Sequence, residues 1–178
     1  MSNPDSKPNV DNLNGLFETP VDVLEDRIVA EEVYFYLCNL IADLEEGTDE
    51  VAFVTNWPTE YQNIFYTSYL LAEVSNGGFN QYYYNFSGNY AAYTPGSFKA
   101  IGAIQHSSLV NEANGVFKAE EEKIIESQDG SLEGFSESYE DNSLEEFDDK
   151  IYELEAVEDV IKLQADYIRA NRVIFADM

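Results

Sequence analysis

Residues 51–111 hold two acids, one base and 14 of the chain's 25 aromatic side chains, while the flanks carry the other 33 of its 35 acids. A stretch so apolar and so nearly uncharged belongs in the interior, with the acidic flanks packed over it and facing water. Net charge is −11 over residues 1–50, −1 over 51–111 and −14 over 112–178, a total of −26. Acidity on this scale often marks disorder, but disordered acidic chains lack the 14% aromatic and 44% hydrophobic content found here. The chain is therefore read as folded. At 178 residues it is expected to form one compact domain over 17–178 behind a flexible tail at 1–16, which is rich in Asn, Asp, Ser and Pro.

Periodicity points to an all-α domain. Thr19 and Pro20 read as the N-cap and first residue of a helix, unbroken or broken once, running to about Glu46, with Val33, Leu37, Leu40, Ile41 and Leu44 on its buried face. A second helix should start at Pro58 and stop at Asn76-Gly77-Gly78, followed by a short helix or turn through Phe79–Phe86. A further helix is expected from about Pro95 over Phe98, Ile101 and Ile104, and another after Ser107-Ser108 towards Ile125. Residues 127–143 read as a loop. Leu144, Phe147, Ile151, Leu154, Ile161, Ala165 and Ile168 then mark one last long helix. No alternating strand pattern appears.

The same charge excludes whole classes of function. Nucleic-acid binding requires clustered Lys and Arg, and a field of this sign repels phosphate and anionic membrane surfaces alike. No run approaches the roughly 18 apolar residues of a membrane span, the N-terminus does not read as a signal peptide, and Cys38 has no second cysteine to pair with. A cytoplasmic protein is expected. The single histidine, His106, and the single cysteine lie in no zinc, di-iron or triad pattern, so neither a metal nor a cofactor is expected and His106 reads as structural. The glycine-rich run from Asn76 lacks the Lys-Ser/Thr ending of a phosphate loop. Only Glu60 and Glu73 are acids of the neutral segment. Glu73 is the candidate for a functional buried carboxyl; the plainer reading is a carboxylate that holds the turn through hydrogen bonds to backbone or tyrosine hydroxyls.

Glu73, Val74, Asn76, Gly77, Gly78, Phe79, Gln81, Tyr82, Asn85, Ser87 and Gly88, followed by Ile101-Gly102-Ala103, form an ordered set of matches. This set closely resembles the signature of the bacterial DNA-mimic protein family, whose C-terminal domain is otherwise of unknown function. Phe147-Asp148-Asp149-Lys150-Ile151-Tyr152 resembles that family's later hydrophobic-Asp-Asp-basic-hydrophobic-Tyr segment, so the likeness covers roughly residues 55–170. The resemblance implies a mostly helical, dimeric cytoplasmic protein that presents carboxylates in place of DNA phosphates. Such a protein occupies a DNA-binding protein, for example a transcription factor, and acts in transcription regulation without catalysis.

The charge is sufficient for that role. A 178-residue domain has a diameter of about 40 Å, hence about 1.5 Å per net charge, against roughly 1.7 Å of axis per phosphate charge in duplex DNA. Residues 120–159, with 17 acids and 2 bases, are the densest candidate face. Its expected partner-binding residues are Glu120, Glu121, Glu122, Glu126, Glu145, Glu146, Asp148, Asp149, Glu153, Glu155, Glu158 and Asp159. The expected partner is a basic DNA-binding protein. An immunity-type protein neutralising a basic toxin or nuclease has the same surface, and a small helical enzyme using Glu73 is the alternative from another class. Repulsion among exposed acids is screened within about 8 Å at physiological salt. Raising NaCl from near zero to moderate concentration should therefore raise the melting temperature in a thermal scan, whereas internally compensated acids would leave it unchanged or lower it.

Overall fold

A computed structural model describes residues 11–126 and 143–176, the side chains of 122–126 excepted, and every regular element among them is helical. Eight α-helices lie in these residues: α1 (Asp26–Ala42), α2 (Glu50–Thr55), α3 (Thr59–Tyr84), α4 (Thr94–Ile101), α5 (Ile104–Glu126), α6 (Glu145–Glu155), α7 (Val160–Ala170) and α8 (Arg172–Phe175). Short 3-10 turns occur at Leu13–Gly15, Val21–Val23 and Phe86–Tyr90. The expected loop falls outside the described residues except for Ser143. No helix of the described residues is long and apolar enough to cross a membrane. The chain divides into two compact units, Met1–Phe65 with Val160–Met178, and Tyr66–Asp159.

In the first unit, α1 buries Val29, Ala30, Val33 and Leu37, a three- and four-residue spacing, against α7, which buries Val160, Ala165 and Ile168. Thr19-Pro20 does not open α1. The carbonyls of Val21 and Leu24 accept hydrogen bonds from the Arg169 guanidinium at 3.0 and 2.8 Å, and Leu24 is extended, so the helix begins only at Asp26. Arg169 also pairs with Asp26, and Arg172 forks onto Asp22 at 2.7 and 3.1 Å. Of the expected tail, residues 1–10 lie outside the described residues. Beyond them, Leu13 is buried and Val21 N–H donates to the Asp11 carbonyl at 2.7 Å. Helix α2 was not anticipated from periodicity, but it has an ordinary start, since the Asp49 carboxylate accepts from Ala52 N–H at 3.0 Å. Tyr61 stacks on Phe175 at 5.2 Å and donates to the Ile174 carbonyl, joining α3 to α8.

The second unit is built around the C-terminal part of α3. The expected stop at Asn76-Gly77-Gly78 is a kink within one helix: both glycines leave helical geometry, and the chain resumes the helix at Phe79. Gly78 has φ +73° and ψ −177°, a conformation essentially restricted to glycine. A Cβ there would lie 2.8 Å from Cγ of Asp148, whose carboxylate accepts from Phe79 N–H at 2.7 Å. Helix α4 ends in a Schellman motif: Gly102 at φ +94° donates to the Lys99 carbonyl at 3.2 Å, and Ala103 N–H donates to Phe98 at 2.8 Å. Helix α5 starts at Ile104, before Ser107-Ser108 and not after them, so Ile104 belongs to α5 and not to α4.

The expected last long helix is two helices, α6 and α7, because the chain leaves helical pairing at residues 156–159. Within the break Val157 is 68% exposed, and Glu158 turns to the start of α5. Its carboxylate accepts from Gln105 N–H and His106 N–H at 3.0 and 2.9 Å and lies 2.6 Å from His106 Nδ1. His106 is fully buried and stacks on Phe98, a structural position as expected. Burial pushes the Glu158 carboxyl up, but the two amides and the imidazole outweigh it and hold the group below its ordinary range.

Two outcomes follow for stability. Gly78→Ala should lose about 1–3 kcal/mol from backbone strain, with displacement of Asp148 in addition, read by chemical denaturation. For Glu158, a depressed folded-state pKa means that the contribution is complete above the ordinary carboxylate pKa and is lost as pH falls through the lower folded value. Glu158→Gln should accordingly cost about 1–2 kcal/mol near pH 7, and the difference from wild type should shrink in denaturation curves recorded towards pH 3.

Candidate functional site

The kink and the α6 surface have to be described together, because α6 has one side on each. Phe147 and Ile151 are buried; Phe147 packs edge-on to Phe79 at 6.1 Å, and Tyr152 Oη donates to the Val74 carbonyl at 3.4 Å. Asp148, between them in register, caps the resumed helix at Phe79. Burial pushes its carboxyl above the usual carboxylate range, the nearby Glu145 and Asp149 charges add to this, and the Phe79 amide opposes it. Across the kink Glu73 accepts from Gln81 Nε2 at 3.0 Å and Asn85 Nδ2 at 2.7 Å through one carboxylate oxygen. Glu73 thus holds the turn, with side-chain amides in place of the expected backbone or tyrosine partners.

The remaining residues of the motif serve the same return of the chain. Tyr82 is buried and hydrogen-bonds Thr94 Oγ1 at 2.9 Å; burial pushes its phenol above its ordinary range, against the effect of that bond. Ser87 Oγ donates to the Tyr82 carbonyl at 2.7 Å. At Gly88 a Cβ would stand 2.7 Å from the Tyr83 carbonyl oxygen, too close for any other residue. Asn76 is exposed, and nothing in the structure explains its place in the motif.

The outward side of α6 is acidic. Glu145, Glu146, Asp149, Glu153 and Glu155 are all exposed, and Glu145, Asp149 and Glu153 form a row at four-residue spacing, about 6 Å per step. Lys150, the one base of this helix, pairs with Glu146 at 3.2 Å and lies 4.6 Å above the Phe147 ring. On α5, Glu120 accepts from Ser143 N–H at 3.2 Å and from Ser143 Oγ at 2.7 Å, which brings the end of α5 beside the start of α6. Glu121 and Asp159 are exposed. The side chains of Glu122 and Glu126 lie outside the described residues. Of the twelve acids expected on one face, Asp148 and Glu158 turn inward to backbone amides, Glu145, Glu146, Asp149 and Glu153 line the outer side of α6, and Glu155 is exposed at the helix end in register with Ile151.

Nothing in the spacing of the acids marks Asp148 and Glu158 as caps; the only sequence signal is that each lies beside an apolar residue of the α6–α7 stripe. Among the described residues no group of three or more His, Cys, Asp or Glu is placed to hold a metal ion. The stretch Tyr66–Asp159 carries 19 acids and 4 bases, so the outer carboxylates have few cations to pair with.

Comparison with curated proteins and with solved structures returned no match. A family model described as DMP19-like protein matches residues 55–171, which include the kink, its caps and the whole of α6. With about two thirds of its length matched, the chain belongs to the DMP19-like protein family.

Proposed function

We propose that this protein is a DNA mimic, which occupies the DNA-binding surface of a basic protein by offering carboxylates where that protein expects phosphates. The observation that carries this reading is the outer side of α6, where Glu145, Glu146, Asp149 and Glu153 are exposed and the helix's single lysine is already paired to Glu146. Like charges at four-residue spacing destabilise a helix by a few tenths of a kcal/mol each. Glu145, Asp149 and Glu153 therefore oppose folding, a cost that binding to a cationic surface would relieve.

One row at about 6 Å per charge is sparser than duplex DNA at roughly 1.7 Å, so the row works with Glu146 and the α5 acids Glu120 and Glu121. A second copy of the chain set beside the first would double the number of rows. Membership of the DMP19-like protein family supports the reading. The role requires no catalytic group, cofactor or metal, and its setting is the cytoplasm, where DNA-binding proteins act.

Affinity capture from native lysate tests it. A DNA-binding protein should be retained and then released by duplex DNA and by salt. Replacing Glu145 and Glu153 by Gln and Asp149 by Asn should weaken capture about tenfold or more and flatten its salt dependence, while Glu73→Gln leaves it intact. Capture indifferent to duplex DNA, or lost only in Glu73→Gln, would overturn the proposal.

A further inference from the structure

Within the same unit as the acidic row, a cleft of about 330 Å³ is lined by the end of α3, the Phe86–Tyr90 turn and α5. Its size suits one large side chain. One wall is rigid. Phe117 lies face to face with Tyr83 at 4.2 Å with 3° between the rings, and Tyr83 Oη donates to Asn114 Oδ1 at 2.7 Å. Asn114 in turn donates through Nδ2 to the Ala91 carbonyl at 2.7 Å.

The turn that completes the lining is equally constrained. The Phe86–Tyr90 turn is held by Asn89 Nδ2, which donates to the Phe86 carbonyl at 2.8 Å, and by the close passage of Gly88 over Tyr83. Phe86 stands edge-on to Tyr90 at 6.0 Å and remains 48% exposed, which leaves part of its ring open to a ligand. Glu121 lies at the rim. Its carboxylate takes part in none of the ion pairs among the described residues, and Lys118, three residues earlier on α5, does not reach it.

Aromatic faces next to a carboxylate attract a cation with a flat or apolar body and repel anions. A guanidinium fits this combination better than an ammonium, because it stacks on rings while its N–H fork meets a carboxylate. We propose that the cleft is a receptor for an arginine side chain of the partner protein, held between Phe86 and the Tyr83–Phe117 wall with its guanidinium on Glu121. The source of the arginine rests on the reading of the partner as a basic protein; the chemistry of the cleft does not. In that role the cleft supplies a directional contact at the edge of a face that otherwise attracts by charge alone.

The test is a titration of the full chain with N-acetyl-arginine amide, followed by amide NMR. Saturable shifts should appear at Phe86, Asn89, Phe117 and Glu121, and capped norleucine amide should produce none. Glu121→Gln and Phe86→Ala should each weaken binding about tenfold; both side chains are at the surface, and an unchanged melting temperature confirms that the variants fold. The variant with Glu145, Asp149 and Glu153 neutralised should bind capped arginine as wild type does. Shifts spread along α6 and unaffected by either cleft variant would overturn the proposal, as would equal shifts with capped norleucine or no saturable shift. Saturable binding in the cleft combined with partner capture that ignores duplex DNA would sustain the cleft and sink DNA mimicry alone; the reverse pattern would do the opposite.

Discussion

The hydrogen bond from Phe79 N–H to the Asp148 carboxylate joins residues 69 positions apart, and the second unit is organised around it. A helix that is interrupted and resumed leaves amides at the resumption without partners, and burying them unpaired would cost more than one hydrogen bond gains. Asp148 supplies an acceptor only because residue 78 has no side chain, so a glycine in one segment and an acid in the other are a single structural requirement. The orientation of α6 follows, with Phe147 and Ile151 turned to the core and the row from Glu145 to Glu153 turned to water.

The acids accordingly perform two kinds of work that composition cannot separate. Asp148, Glu158, Glu73 and Asp49 meet backbone or side-chain amides and act as caps or clasps, while Glu145, Asp149 and Glu153 have no such role. The bases show a matching economy. In the first unit Arg27, Lys162, Arg169 and Arg172 are each engaged with an acid, and Arg169 also takes up two backbone carbonyls. With these four cations committed in this way, no other base of the first unit's described residues is left for its remaining acids.

Much of the fold could be read from the chain. The neutral aromatic segment does form core, with Tyr66, Phe79, Tyr82, Tyr90 and Phe98 buried, and the apolar spacings in α1 and in the α6–α7 stripe mark true buried faces. What escaped was decided by partners distant in sequence. Arg169 delays the start of α1 by capturing carbonyls that Thr19 and Pro20 would otherwise feed into a helix, and Glu158 breaks the last helix by reaching back 52 residues to His106. Periodicity is a local signal and carries no information about either event. The candidate acids could be read as a charged region and not as a face: Asp148 and Asp149 are adjacent and chemically alike, yet one caps a helix and the other faces water, a distinction set by a 100° rotation per residue and by what lies opposite.

Helix α6 thus holds two sets of information on eleven residues. Its inner positions are tied to the glycine kink and cannot drift without loss of the fold, whereas its outer carboxylates contact nothing the fold requires. Changes on the outer side are therefore open to selection by a partner at little cost to folding. Proteins built on this same kink can diverge in their surface charge while remaining recognisable by their core, and the motif that identifies such a chain says little about its outer face.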